Sequence, residues 1–509
     1  MMHLVAAASA ALLVLIAAAL PRRVAGTRWH IGAALALDLA LPVSIFVLIA
    51  LASGRPIFAG LVTLALGAGY AYADHAKRAT LQEPIVFTDV FQAFDIFRHP
   101  QLALPFPNKG QILLGVASVL AAFVAFYWLE PRSFQAPLWI WIALLAPVLA
   151  LIAVLRRPLR GRALAWLKRL GASGDPAVDA AQLGPLAIHW VYALVAAGER
   201  DHRCMAAAVR IRVDADELTD PVVVVQSESF FDARRLHAAI DRSLLPNFDR
   251  ACRDGLQWGR LKVPCWGANT VRTEFAVLSG MPQAALGFDH FNPYHRFARA
   301  PVDTLAWRMR SRGYRTICLH PFDARFYGRD RIMRNLGFDQ LIDESAFPAD
   351  AQRVEGYIGD LAVARLTTEL LRRYGPKVFV FVVTMENHGP WRGRADALQS
   401  VECLSVLGET ERNSVNRYLA SLRNADAMLG SLRDTLEREF SGGTLAFYGD
   451  HLPGFPSAYQ KLGLADRRSD YLIWRADAGP GSRIDLRADN LADAIMAGFE
   501  RATEQRKSA

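Results

Sequence analysis

Val222-Val-Val-Val-Gln-Ser-Glu228 is a β-branched run that stops on a carboxylate, and it sets the reading of everything after about Pro221. Runs of the same kind recur at Tyr314–Leu319, Val378–Thr384, Thr444–Tyr448 and Tyr471–Trp474, with helical stretches at Val363–Tyr374 and Asn413–Glu439 between them. Short strands alternating with helices predict a layered α/β domain. Three of the strands end in polar groups: Glu228 after the first, His320 after Leu319, and Asp450-His451 after Leu445-Ala-Phe-Tyr-Gly. Ligands in open α/β sheets gather where strands stop, and Glu, Asp and His together suit a hard or borderline divalent cation. Taken singly, a strand-terminal Asp-His pair serves equally well as a turn cap.

Between these strand ends lies Gly267-Ala-Asn-Thr270-Val-Arg-Thr273-Glu-Phe-Ala-Val-Leu-Ser-Gly280, a glycine-containing turn that runs into helical spacing of Phe275 and Leu278. A hydroxyl at a helix start faces unpaired backbone N–H groups that stabilise phosphate oxygens, and a bound cation can hold it as an alkoxide ready to attack phosphorus. An N-cap role for Thr270 explains the same position without chemistry. Thr273 and Cys265 are its rivals as nucleophile, although the Cys-x-Pro-x-Arg pattern of true sulfatases is missing around the cysteine.

The first third of the chain is of another kind. Five apolar stretches, His3–Leu20, Ile31–Leu51, Ile57–Ala73, Ile112–Leu129 and Leu138–Leu155, have roughly the length of a membrane span. The first lacks the basic leader of a signal peptide and reads as a retained helix. Asp38, inside the second, receives no role. Residues 156–200 form a basic connector in which Arg156, Arg157, Arg160, Arg162, Lys168 and Arg169 interleave with leucines and Trp166, as suits a helix on a bilayer surface. The net charge of +9 arises largely from arginines near these segments. It therefore points to an anionic membrane surface, with no nucleic-acid motif and no nucleic-acid partner. The five cysteines, 204, 252, 265, 318 and 403, show no CxxC spacing, so neither a zinc cluster nor a disulfide is assigned. The organisation read from the sequence is a five-helix membrane domain over 1–155, the connector over 156–200 and a catalytic domain over 201–509.

The strand ending Gln-Ser-Glu228-Ser-Phe-Phe-Asp, the segment Leu245-Pro-Asn-Phe-Asp-Arg250, the turn with Thr270 and Glu274-Phe275, and Gly449-Asp450-His451 occur in this order. Together they resemble the sulfatase-like catalytic domain of lipoteichoic acid synthases and related phosphoglycerol transferases, within the alkaline phosphatase superfamily. The resemblance implies that Thr270 is nucleophile and metal ligand, with Glu228, Asp450 and His451 completing the coordination of a divalent metal. That metal is manganese by family habit, with magnesium and zinc as the alternatives. It also implies that His320, Tyr327 and Arg329, from His320-Pro-Phe-Asp-Ala-Arg-Phe-Tyr-Gly-Arg329, and His388, from Glu386-Asn-His-Gly-Pro-Trp391, bind the substrate head group. Tyr327 stands where the synthases often carry tryptophan.

The expected activity is transfer of a phosphoglycerol-like head group from an anionic phospholipid, of the phosphatidylglycerol type, to a glycan or polyol-phosphate acceptor through a phospho-threonine. Phosphoethanolamine transfer and sulfatase-like or phosphodiester hydrolysis are the alternatives. Orientation is contested within the sequence. With five spans, Arg22, Arg23, Arg28, Lys77, Arg78, Arg98 and Lys109 fall on the side of the catalytic domain and only Arg55 and Arg132 on the other, which by charge bias puts that domain in the cytoplasm. The resemblance puts it outside a bacterial inner membrane, and that is the expectation adopted.

Overall fold

The computed structural model describes residues 2–29, 31–99, 109–135, 137, 140, 159–206, 220–298, 300–392, 404–440, 442–476 and 479–508. They fall into two compact units, Met1–Asp201 and His202–Ala509.

The first unit is helical. Helices α1 (Met2–Ala25), α2 (Ala33–Ser53) and α3 (Pro56–Leu81) contain three segments, Val5–Ala25, Ala33–Ser53 and Pro56–Leu81, that are long and apolar enough to cross a membrane. At 1.5 Å per residue each reaches the roughly 30 Å of a hydrocarbon core. The expected five spans are thus three among the described residues. The fourth stretch lies within a helix, Lys109–Leu129, and nearly all of the fifth, Leu138–Leu155, lies outside the described residues. Helices α1 and α3 approach closely through small residues: a Cβ on Gly67 would stand 2.5 Å from the Ala17 carbonyl oxygen.

Asp38, given no role above, ties this unit together. From the second turn of α2 its Oδ2 accepts from Arg22 Nη1 at 2.5 Å, and its Oδ1 accepts from the backbone N–H groups of Leu186 and Ala187 at 2.8 and 3.0 Å. Those N–H groups open helix Ala187–Ala206, so a carboxylate on α2 caps a helix of the connector. Nearby, Lys77 pairs with Asp89 at 2.6 Å and Arg78 with Asp74 at 2.7 Å.

The second unit is built on a nine-stranded sheet. Its strands are β1 (Val222–Ser227), β2 (Gln257–Lys262), β3 (Arg315–Leu319), β4 (Gln340–Ile342), β7 (Val378–Val383), β8 (Thr444–Gly449), β9 (Ser469–Arg475), β10 (Ser482–Arg483) and β11 (Leu486–Arg487), while β5 (Arg353–Val354) and β6 (Tyr357–Ile358) form a separate hairpin. The order is β10-β2-β9-β8-β1-β7-β3-β4, with β11 also on β2. From β8 to β4 the pairing is parallel, and β9 runs antiparallel to both β8 and β2. Strands β1, β7 and β8 are buried along their whole length, because parallel strands covered by helices on both faces have no solvent side. Alternation divides β1 between two cores. Val223 and Val225 face the helices Asp360–Tyr374 and Glu409–Glu439, whereas Val222 and Val224 face Thr270–Ser279 and the C-terminal helix. Strand β2, Gln-Trp-Gly-Arg-Leu-Lys, carries no β-branched residue and was not legible as a strand; its pairing with β9 holds it there.

Candidate active site

Strands β1 and β8 pair in parallel with Ser227 opposite Gly449, so the next residues, Glu228 and Asp450, leave the sheet side by side at its C-terminal edge. The contact is tight. A Cβ on Gly449 would lie 1.8 Å from the Phe230 carbonyl oxygen, so only glycine lets the chain after β1 cross there. Ser229, at φ 54°, turns its N–H to Asp450 Oδ1 at 2.8 Å, and the His451 N–H reaches the same oxygen at 2.9 Å. Ser229 Oγ donates to Glu228 Oε1 at 2.8 Å, and the Glu228 N–H donates to Thr384 Oγ1 at 3.0 Å.

With Oδ1 satisfied twice, Asp450 Oδ2 is buried without a hydrogen-bond partner. His451 Nδ1 stands 3.0 Å from the Leu452 carbonyl oxygen, which only a donor satisfies. Nδ1 thus carries a hydrogen, and Nε2 faces the carboxylates, 3.3 Å from Asp450 Oδ2 and 3.7 Å from Glu228 Oε1; as a neutral imidazole it offers a lone pair there. Ligand atoms of these three buried residues lie within 4.8 Å of one another. Burial first, and then the charge of Asp450, push the Glu228 carboxyl up to about 8, against the pull of His451, Ser229 and Arg329. Three facing lone-pair donors, one of them orphaned, fit a divalent cation: two carboxylates and an imidazole are a set that manganese, magnesium or zinc accepts.

Thr270 is the first residue of helix Thr270–Ser279, with Asn269 in the N-cap position at φ 66°, so it is not itself the cap. Residues 271–279 are all buried, whereas Thr270 is half-buried. The helix start is fastened to the strand end by Thr273, whose hydroxyl donates to the Asp450 carbonyl oxygen at 2.7 Å. Thr273, the rival nucleophile, is fully buried and committed to that bond. Cys265 Sγ lies 3.2 Å from Thr273 Oγ1. Cysteines 204, 252, 265 and 318 are free thiols.

The four residues assigned to the head group occupy the loops after β3 and β7. His320, 1% exposed, faces the Arg329 guanidinium: Nη1 stands 3.3 Å from Nε2. Since a guanidinium only donates, His320 is neutral with its lone pair on Nε2, and burial followed by the charge of Arg329 holds its pKa well below the usual value. Tyr327, at φ 58°, lies under the same guanidinium at 5.5 Å from ring centroid to Cζ. His388 Nδ1 bonds the Gly389 carbonyl oxygen at 2.8 Å, leaving Nε2 for other work. The sequence reading missed the partner of Arg329. Its Nη2 donates to Glu274 Oε2 at 2.7 Å in a buried ion pair, and Tyr294 donates to the other oxygen of Glu274. The sequence shows Glu274 as an acid one turn behind Thr270 on the same helix, but nothing in the sequence pairs it with Arg329.

A family model for sulfatases matches residues 221–497. The chain belongs to the sulfatase family. This sulfatase-family protein is 29% identical over 438 residues to the capsular polysaccharide biosynthesis protein RkpI of Rhizobium meliloti, a match covering 83% of this chain and 78% of that one. Among solved structures, the integral membrane lipooligosaccharide phosphoethanolamine transferase A of Neisseria meningitidis superposes with a TM-score of 0.52 at 13% identity, covering 96% of this chain and 95% of that chain. The two share a fold. The Streptococcus pyogenes phosphoglycerol transferase GacH, in complex with sn-glycerol-1-phosphate, superposes with a TM-score of 0.45 at 21% identity over 60% of this chain and 80% of that chain. The fold seen in this sulfatase-family protein is thus apolar N-terminal helices followed by an α/β sulfatase-like domain.

Proposed function

We propose that the protein is a membrane-anchored phosphotransferase that takes a phosphoglycerol-type head group from an anionic phospholipid onto Thr270 and passes it to a hydroxyl of a glycan or polyol-phosphate acceptor. The observation that carries this reading is the orphaned Asp450 Oδ2 facing His451 Nε2 and Glu228 at the strand ends, with a half-buried threonine opening the helix bound to that strand end. Glu228, Asp450, His451 and Thr270 would hold the divalent cation, which supplies Lewis-acid charge for the phosphoryl oxygens and lowers the pKa of the threonine hydroxyl. The Thr270 oxygen attacks phosphorus, and the bond to the diacylglycerol oxygen breaks. That oxygen leaves with a proton. The acceptor hydroxyl then attacks the same phosphorus, restoring Thr270 and giving its proton to a base, for which the open Nε2 of His388 is suited. Arg329, already balanced by Glu274, acts with His320 and Tyr327 to shape the head-group side and to orient a neutral imidazole there. Helices apolar enough for a bilayer keep the domain beside its lipid donor, in our reading outside a bacterial inner membrane.

The test is to incubate the protein with head-group-labelled phosphatidylglycerol or phosphatidylethanolamine and map labelled peptides by mass spectrometry. Phosphoglycerol on Thr270, and none in Thr270→Ala, supports the proposal. Label from the ethanolamine lipid alone would transfer the assignment to that head group, and turnover with no labelled residue would make the protein a hydrolase.

A further inference from the structure

A second concavity in the sulfatase-like unit lies outside the ligand cluster: a cleft of about 540 Å³ along β2 and β9, lined by Trp258, Arg260, Asp470, Arg234, Arg253 and Arg483 among others. Its size falls within the roughly 300–1,000 Å³ of small-ligand sites. The walls are preset. Arg234 grips Asp249 through Nη1 and Nη2 at 2.7 Å each, and Arg260 pairs with Asp470. Trp258 is half-buried, packed in part against the core, and the Arg483 guanidinium lies over its ring 5.5 Å from the centroid.

Four arginines, 234, 253, 260 and 483, line the cleft against three aspartates, 232, 249 and 470. Among the described residues Arg253 has no ion-pair partner, and the acid nearest Arg483 is Asp485 at 3.9 Å. Asp485 is itself committed to Arg468 at 2.7 Å and to the Arg260 N–H at 3.0 Å. The exposed Arg253, and the exposed Arg483 that covers the Trp258 ring, thus line the cleft beside planar carboxylate–guanidinium pairs. An aromatic side chain packs the apolar face of a sugar ring, planar side chains bond its hydroxyls in pairs, and an exposed arginine receives a carboxylate.

The cleft also lies close to the chemistry. Ser469, the first residue of β9, donates its hydroxyl to the Gly449 carbonyl oxygen at 2.7 Å. The next residue on one side, Asp470, lines the cleft, and the next on the other, Asp450, belongs to the ligand cluster. Asp232, four residues after Glu228, donates its N–H to Asp470 Oδ2 at 2.8 Å.

We propose that this cleft is the acceptor subsite and that it binds an acidic, uronate-type oligosaccharide; the word acceptor rests on the transferase reading above, the binding does not. The experiment uses the full chain carrying Thr270→Ala in detergent, titrated by calorimetry with trigalacturonate and, separately, with uncharged maltotriose. Trigalacturonate should bind at least tenfold more tightly than maltotriose. The exposed-site double variant Arg253→Glu/Arg483→Glu should lose at least tenfold in trigalacturonate affinity, and Trp258→Ala should lose binding altogether. Equal affinity for the two sugars, no binding of trigalacturonate, or unchanged binding in the arginine variant would overturn the proposal. On the Thr270 background, the arginine variant should still release labelled head group from phosphatidylglycerol to water while transfer to trigalacturonate falls. In the unmutated protein, no donor cleavage at all, with neither Thr270 nor trigalacturonate labelled, would refute the transferase reading while leaving the oligosaccharide site standing.

Discussion

Asp450 gives one oxygen to two backbone N–H groups and leaves the other bare, an arrangement that makes sense as a ligand held in aim. In Asp450→Asn the aim persists but the charge is gone. Manganese, magnesium or zinc at a hundred times its dissociation constant should raise the stability of the unmutated protein by about 2.7 kcal/mol, whereas the asparagine variant should show no such shift in thermal unfolding. The Arg329–Glu274 pair demands more care. Removing either partner strands the other as a buried charge, at about 3–5 kcal/mol, so Glu274→Gln should lower the unfolding midpoint by several degrees in the absence of any substrate. Loss of transfer in Arg329→Ala is therefore informative only beside its melting curve. His320 yields a pH signature: it is neutral when folded, faces Arg329 on one side with Asp323 as the acid acting on it, and takes up a proton near 6.5 when unfolded. The unfolded state thus binds more protons, and stability should fall as pH drops below about 6.5. Chemical denaturation at pH 7.5 and 5.5 checks this, with a smaller difference expected for His320→Gln. Glu228, Asp450 and His451 were legible because each follows a short, largely apolar strand run that stops on a polar group. Glu274 was not, since the arginine it neutralises stands 55 residues away in sequence and only the fold brings the two together.

At the level of elements, the central strands showed in the sequence because parallel, doubly covered strands need unbroken apolar runs, and the chain writes them as Val-Val-Val-Val and Val-Phe-Val-Phe-Val-Val. Strand β2 hides because its partners define it. The link between α2 and helix Ala187–Ala206 hides for a related reason: an aspartate within an apolar span reads as an anomaly until the helix it caps is in view. Asp38→Ala leaves Arg22 buried without its carboxylate and two helix-opening N–H groups without their acceptor. We expect a loss of about 3–5 kcal/mol in the first unit, read as earlier thermal unfolding in detergent. The double replacement Arg22→Met/Asp38→Leu should recover part of it, because no lone charge remains.

For the whole molecule, the contested orientation changes its terms once pairing is considered. Arg22, Lys77 and Arg78, counted as basic loop residues, are each held by an aspartate of the same unit, so each has a packing reason to be where it is. A C-terminal reporter fusion, active only outside the cytoplasm, should be active; an inactive, stably expressed fusion would place the domain inside. Sheet order carries a different kind of consequence. Glu228 and Asp450 meet because β1 and β8 are neighbours, yet the residues that join them lie 221 positions apart in the chain. Seen as a sequence of events in time, the cation pocket cannot exist while the first four-fifths of the polypeptide is being made and threaded, and it comes into being only when β8 is laid against β1. A chain stopped at residue 440 should therefore gain no thermal protection from manganese. On the proposed reading, metal would be loaded late, in the compartment where the finished domain closes.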